Sequence, residues 1–227
     1  ADITIHNLAW NVLPCFNSYI RNGFMEQLYE AYIFPEASCL WRRIKKEEEK
    51  EWNIVDRVVV EAQAMQTKQS NEVRKYVKNL CEQVNEDDKV IINIVDDSFN
   101  LAYTGLVAGK VSSNFGKPTL LVHEKDDVLM GSVRSNSLSR DEFNKSGLFV
   151  YNQGHNLGAW GSCFKKENLE PIRDYFNSLN IASELTCKVE KCFTPTNIPP
   201  RLFEVLEAFT WLYGKGIEQP QFCVQNI

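Results

Sequence analysis

Apolar residues change their spacing along this chain, and each change marks a different kind of element. Over residues 7–34, Phe24, Leu28, Ala31 and Tyr32 recur at helical intervals. Pro14 and Asn17 lie in the approach and Phe34-Pro35 forms the stop, so the spacing predicts a helix entered through a turn. Residues 42–50 (RRIKKEEEK) are a charge run, expected to be a solvated helix face rather than a binding site. From about residue 46 to 84, Ile54, Val58, Ala62, Met65, Val73, Val77, Leu80 and Val84 predict one or two long amphipathic helices. Asn85-Glu86-Asp87-Asp88 marks the break.

At Lys89 the pattern shifts to short runs with β-branched residues. Val90–Val95 and Thr119–His123 each read as a buried strand, and residues 99–114 between them read as a helix closed by the Gly116-Lys117-Pro118 turn. Strand, helix, strand in that order predicts a crossover unit with a parallel pair. Asp126-Asp127 turns the chain, with a third strand expected over Val128–Arg134 and another over Ala159–Phe164, followed by an amphipathic helix over residues 167–180. The reading is therefore α/β: a helical connector over 1–88, a compact α/β domain with a mixed, partly parallel sheet over 89–182, and a C-terminal extension over 183–227. The extension holds a proline-rich linker (194–200), a helix near 200–212 and an apolar end, Phe222–Ile227, that looks like a strand without a partner.

Composition narrows the classes. With 44% hydrophobic and 24% charged residues the chain has material for a core, and no apolar run is long enough to span a membrane. Ala1-Asp2-Ile3-Thr4 carries no secretory signal pattern. A net charge of −5 argues against a general polyanion coat but leaves room for a local phosphate site. The seven cysteines are scattered, with no C-x-x-C pair, and are expected to be reduced thiols of a cytoplasmic protein.

Two segments carry candidate chemistry. Gly131-Ser132-Val133-Arg134-Ser135 ends a predicted strand, where small residues admit a phosphate and the guanidinium and hydroxyls supply donors. Gln153-Gly154-His155-Asn156-Leu157-Gly158-Ala159-Trp160-Gly161 surrounds a histidine with small residues, a sign of close backbone approach. Each alone is matched by a plainer reading, an exposed surface arginine and a turn histidine; their co-location near strand ends favours a phosphate pocket. His123 is expected to be structural, and His6 is uninformative. Asp96-Asp97 follows a strand and is the best-placed acidic pair for a metal, although a helix cap explains it equally well. No phosphate-loop, zincin or nucleophile-elbow motif occurs.

Taken together, several segments resemble one family, the RecJ-like single-strand-specific DNA exonucleases, in particular the shorter phage forms. Gly131–Ser135 is similar to the family's G-S-G-R-S, Gly154–Gly161 to G-H-x-x-A-x-G, and Lys166-Glu167-Asn168-Leu169-Glu170 to K-x-E-N-L-E of its DHHA1 domain. Thr104–Ala108 and Lys117–Val122 match the crossover helix and strand. Pro14–Gly23 resembles the linker element P-R-I-N-A-A-G-R-x-G, and Leu206–Phe209 with Gly214–Phe222 resembles the entry to an OB-like domain. The chain departs from the pattern at Cys15, Val133 and Gln153, so the phosphate site is expected to be lined differently.

The resemblance implies a division of labour. Manganese or magnesium would be bound by a D-H-H domain absent from this sequence, on the same or a separate polypeptide, so this chain would be a fragment or a divided product with no metal of its own. Single-stranded DNA would be degraded from the 5′ end. Ser132, Arg134, Ser135, Gly154 and His155 would bind the phosphate, with His155 stabilising developing charge. Asn17 and Arg21 would hold the incoming strand. A DHH/DHHA1 phosphoesterase for short RNA or cyclic dinucleotides shares the Arg134 and His155 motifs but not their flanks. A non-catalytic single-strand-binding module stays open. So does an alanyl-tRNA synthetase C-terminal domain, although residues 46–84 hold no sustained heptad.

Overall fold

A computed structural model of the chain describes residues 4–43, 48–96, 98–179, 189–213 and 217–225. The chain forms two compact units, Ala1–Lys68 with Thr186–Ile227, and Gln69–Leu185.

The first unit opens with a helical stretch made of α1 (Ile5–Asn7), a π-helical turn (Leu8–Val12) and α2 (Leu13–Arg21). Gly23, at φ 90°, breaks the helix predicted over 7–34 in two, and α3 (Met25–Ile33) follows. Only glycine enters this left-handed region at little cost, which is why the chain turns there. The charge run is no continuous helix face: β1 (Ser38–Trp41) and β2 (Lys50–Asn53) flank it as an antiparallel pair, with Trp41 edge-on to Trp52. Ile44–Glu47 lie outside the described residues. Cross-strand packing of the two tryptophans outweighs the helical propensity of the neighbouring glutamates and lysines. The long helix α4 (Ile54–Cys81) therefore begins at Ile54, and the chain passes from the first unit to the second within it.

Tyr19 anchors the first unit. Fully buried against Phe24, it donates its hydroxyl proton to Glu61 at 2.6 Å. Burial and the neighbouring carboxylate push its phenol well above the ordinary range. Near the C-terminus, the segment expected to lack a partner has one. Strand β9 (Phe222–Val224) pairs in parallel with β8 (Lys191–Phe193), satisfying the backbone groups that made an unpaired strand improbable. That pairing brings Cys192 opposite Cys223, and burial with the Cys192 contact raises the Cys223 thiol. The helix expected near 200–212 is α8 (Leu202–Ala208) followed by a 3-10 turn, Thr210–Leu212.

The second unit is the mixed α/β body anticipated from the sequence. Its five-stranded sheet runs in the order β3-β4-β5-β7-β6: β3 (Ile91–Ile94), β4 (Thr119–Lys125), β5 (Val128–Ser135), β7 (Gly158–Lys165) and β6 (Phe149–Gly154). Only β3 and β4 are parallel, joined through a 3-10 turn (Leu101–Tyr103) and α5 (Thr104–Phe115). Strand β6 and the short helix α6 (Arg140–Lys145) have no counterpart in the sequence reading. β6 pairs with β7 through a bulge between Phe149 and Tyr151, and its exposed residues mask the apolar pattern on which strand prediction relies. On one face of the sheet, Leu120, Val122, Leu129, Val133, Trp160 and Phe164 pack on Phe143 of α6 and on Ile172 and Phe176 of α7 (Leu169–Ser178). On the other, Ile91 and Leu121 pack on Val107, Ala108 and Val111 of α5 and on Val73, Val77 and Leu80 of α4.

Candidate functional site

Alternation along β5 decides what its motif can do. Val133 points into the core formed with α6 and α7, so replacing the family's middle glycine leaves the opposite face unchanged. Ser132 and Arg134 point the other way, toward α5. The Ser132 hydroxyl lies 3.0 Å from that of Thr104 at the start of α5, and Thr104 is buried. Arg134 lies along the helix. Its Cγ faces Gly109 and its guanidinium faces Gly105, one turn nearer the helix start, while Nη1 donates to the Val133 carbonyl at 2.8 Å. Thr104 donates its own hydroxyl proton to the Leu101 carbonyl at 3.0 Å and so orients Ser132, which leaves the half-buried Arg134 and the Ser132 hydroxyl as the groups suited to a phosphate.

Ser135 does not join this cluster. It shares the face of Val133 and is buried, and its hydroxyl donates to the Leu138 carbonyl at 2.7 Å and accepts from the Leu138 N–H at 2.9 Å. Both capacities of the hydroxyl are taken up by the turn that closes β5, so its place in the structure is that of a turn residue.

His155 enters from the β6–β7 turn. Gly154 (φ 136°) and Gly158 (φ 90°) bracket it in conformations that favour glycine, and its N–H donates to the Ala159 carbonyl at 3.1 Å. Ala159 is the register partner of Arg134, so the His155 backbone lies two strand spacings from Arg134, about 10 Å. The His155 side chain is exposed. Arg140, which sequence reasoning did not single out, braces this turn. Its Nη1 donates to the Gly154 carbonyl and its N–H to the Asn156 carbonyl, both at 2.7 Å. The Ser139-x-x-Glu142 spacing was the available signal for α6, and both halves of the capping box form. The Ser139 N–H and hydroxyl hold the Glu142 carboxyl below its ordinary value of 4.5. Glu142→Ala is expected to cost about 0.5–1 kcal/mol at neutral pH. Because the folded-state value is the lower one, that difference should be present above pH 4.5 and vanish as pH falls through the depressed value. Paired urea titrations across the acid range read this out, and a pH-independent gap would refute it.

Asn17 and Arg21 lie in the first unit, one turn apart on the exposed face of α2, opposite the buried Tyr19. Asp96 is occupied by a turn of its own: it accepts from the Ser98 N–H at 2.8 Å and from the Ser98 hydroxyl, which lowers its carboxyl from the ordinary value, while Asp97 lies outside the described residues. His123 is half-buried on β4. Among the described residues, no group of three or more His, Cys, Asp or Glu side chains is placed to hold a metal ion. The donors around Arg134 are cationic and hydroxylic, a set that fits an anion and does not fit a divalent cation.

With this geometry in place, the fold is similar to that of RecJ. It superposes on RecJ from Thermus thermophilus in complex with Mn2+ with a TM-score of 0.69 at 17% identity, covering 96% of this chain and 31% of that one. The Mg2+ complex from the same organism gives a TM-score of 0.65 at 18% identity, covering 95% and 32%. An exonuclease RecJ bound to manganese gives 0.57 at 17%, covering 78% and 44%.

In sequence the chain is similar to the proteins named YorK in Bacillus subtilis (strain 168) and in Bacillus phage SPbeta, whose names assign them as single-strand DNA-specific exonucleases. Each match is 23% identical and covers 100% of this chain and 42% of the relative, so the chain spans under half the length of these curated relatives. The resemblance to phage-type RecJ-like proteins inferred from the motifs is borne out by both comparisons. No protein-family model matches the chain. Among the described residues no helix is long and apolar enough to cross a membrane.

Proposed function

We propose that this chain supplies the DNA-phosphate-binding part, of DHHA1 type, of a RecJ-like exonuclease acting on single-stranded DNA from its 5′ end. The observation that carries the reading is that the Arg134 guanidinium and the Ser132 hydroxyl share one face of the sheet and converge on Gly105 at the start of α5. The names of the sequence relatives and the RecJ fold support the substrate class.

In this reading Arg134 makes a charge-assisted contact to a phosphate of the strand and the Ser132 hydroxyl adds a polar contact, while Thr104, whose own hydroxyl donates to the Leu101 carbonyl at 3.0 Å, holds Ser132 in place. His155, held at the turn by Arg140, donates to a non-bridging oxygen as charge develops. Asn17 and Arg21 contact the strand from α2. The manganese or magnesium of this class would activate water, and its ligands belong to a D-H-H domain on the same or another polypeptide. The OB-like character of the C-terminal extension is part of the same proposal.

The test is binding of a 5′-phosphorylated single-stranded oligonucleotide, followed by fluorescence anisotropy. Arg134→Ala removes one charge-assisted contact worth about 1.5–3 kcal/mol, so affinity should fall by about 10-fold to 150-fold with the circular dichroism spectrum unchanged. Wild-type affinity in the variant would overturn the assignment.

A further inference from the structure

Gly105 is the second residue of α5, a first-turn position that alanine fills at no cost in helix propensity. Neither turn geometry nor a left-handed conformation calls for it. What stands beside it is the end of Arg134: a Cβ added at 105 would overlap Nη2 and lie 3.2 Å from Cζ and 3.5 Å from the Ser132 hydroxyl oxygen. Gly109, on the same side of α5, differs. A Cβ there would meet only Arg134 Cγ, at 3.8 Å, an ordinary contact.

We propose that Gly105 is a positioning residue: its missing side chain is the berth that sets the Arg134 guanidinium on the Ser132 side of α5, and so determines how tightly a phosphate of single-stranded DNA is held. This rests on the phosphate-binding reading of Arg134. The overlapping atom is the far end of a flexible side chain, so a methyl group at 105 leaves the backbone in place and moves the guanidinium instead. A displacement of about 1 Å is enough to lose much of a directed contact. Stability and binding should therefore respond in opposite directions, which a residue serving only to pack the fold would not show.

The experiment compares Gly105→Ala, Gly109→Ala and Arg134→Ala in the full chain. Thermal unfolding is measured, together with anisotropy on one oligonucleotide carrying either a 5′-phosphate or a 5′-hydroxyl. Gly105→Ala should melt at or above the wild-type temperature while binding about tenfold or more weakly. Its Arg134 Nε–Hε resonance should shift. Gly109→Ala should also melt no lower, with affinity kept.

A wild-type preference for the 5′-phosphate that closes in Gly105→Ala supports the berth for a terminal phosphate. Equal losses on both oligonucleotides support it for an internal phosphodiester. Wild-type affinity in Gly105→Ala, with Arg134→Ala impaired, overturns this inference and leaves the phosphate reading intact. Loss of melting temperature together with affinity also overturns it. Wild-type affinity in Arg134→Ala overturns both.

Discussion

Gly131→Ala is expected to destabilise the second unit by about 3 kcal/mol, the upper end of the usual cost of overpacking. The reason is a backbone collision. A Cβ at 131 would overlap the Leu121 carbonyl oxygen and stand 2.8 Å from Val122 Cα, on the neighbouring strand of the sheet. No rotamer change relieves that contact; β4 and β5 would have to separate along a register that runs from Thr119–Arg134 to Lys125–Val128. Urea unfolding should show a markedly lower midpoint with a similar slope, and an unchanged midpoint would mean that the two strands part at little cost. Because β5 also carries Ser132 and Arg134, phosphate binding should weaken in the folded variant. Here stability and binding fall together, in contrast to Gly105→Ala.

Phe143→Ala is expected to cost about 3–5 kcal/mol. Phe143 is fully buried, with its ring 4.4 Å from Phe176, 5.1 Å edge-on from Trp160 and 5.5 Å from Phe149, centroid to centroid. Removing it takes a common partner from three aromatic rings and leaves a cavity that β6, β7 and α7 can only partly close. Phe143 is also the residue by which α6 is buried, and α6 carries Arg140 to the Gly154 carbonyl. Loss of stability should therefore come with faster amide exchange in the 154–158 turn. Chemical denaturation with hydrogen exchange tests both parts; protection of the turn in a destabilised variant would show that Arg140 does not brace it.

These variants sort the residues by what they touch. Arg134 and Ser132 lie on the face toward α5, to which the proposed function assigns a phosphate, Arg140 holds a turn, Gly131 and Phe143 hold the sheet and its core, and Gly105 leaves space. Ser135 belongs with the turn residues although it stands beside Arg134 in the chain. A strand motif read as one string is physically two, because alternate residues leave on opposite faces of the sheet.

Periodicity alone carried much of the fold. Residues 90–95 and 119–123 are short apolar runs rich in β-branched residues, and such runs have few alternatives to a buried strand; β4 takes a central place, while β3 stands at the sheet edge with Ile94 exposed. The long amphipathic stretch ending near Cys81 likewise left little choice but a helix. The motifs around Arg134 and His155 were also legible, because an arginine among small residues and a histidine between glycines are departures from ordinary core and surface usage.

Other features depended on partners distant in sequence. The Trp41–Trp52 pairing converts a charged stretch into the flanks of two strands, and β8 and β9 complete each other across some thirty residues of chain. Strand β6 shows no apolar alternation because its partner β7, rather than its own pattern, places it. The berth at Gly105 depends on the packing of α5 over β5. Local patterns determine which segments become helix or strand wherever burial is periodic. Which side chains meet is decided by long-range pairing, since the energy of those contacts exists only once the chain has closed on itself.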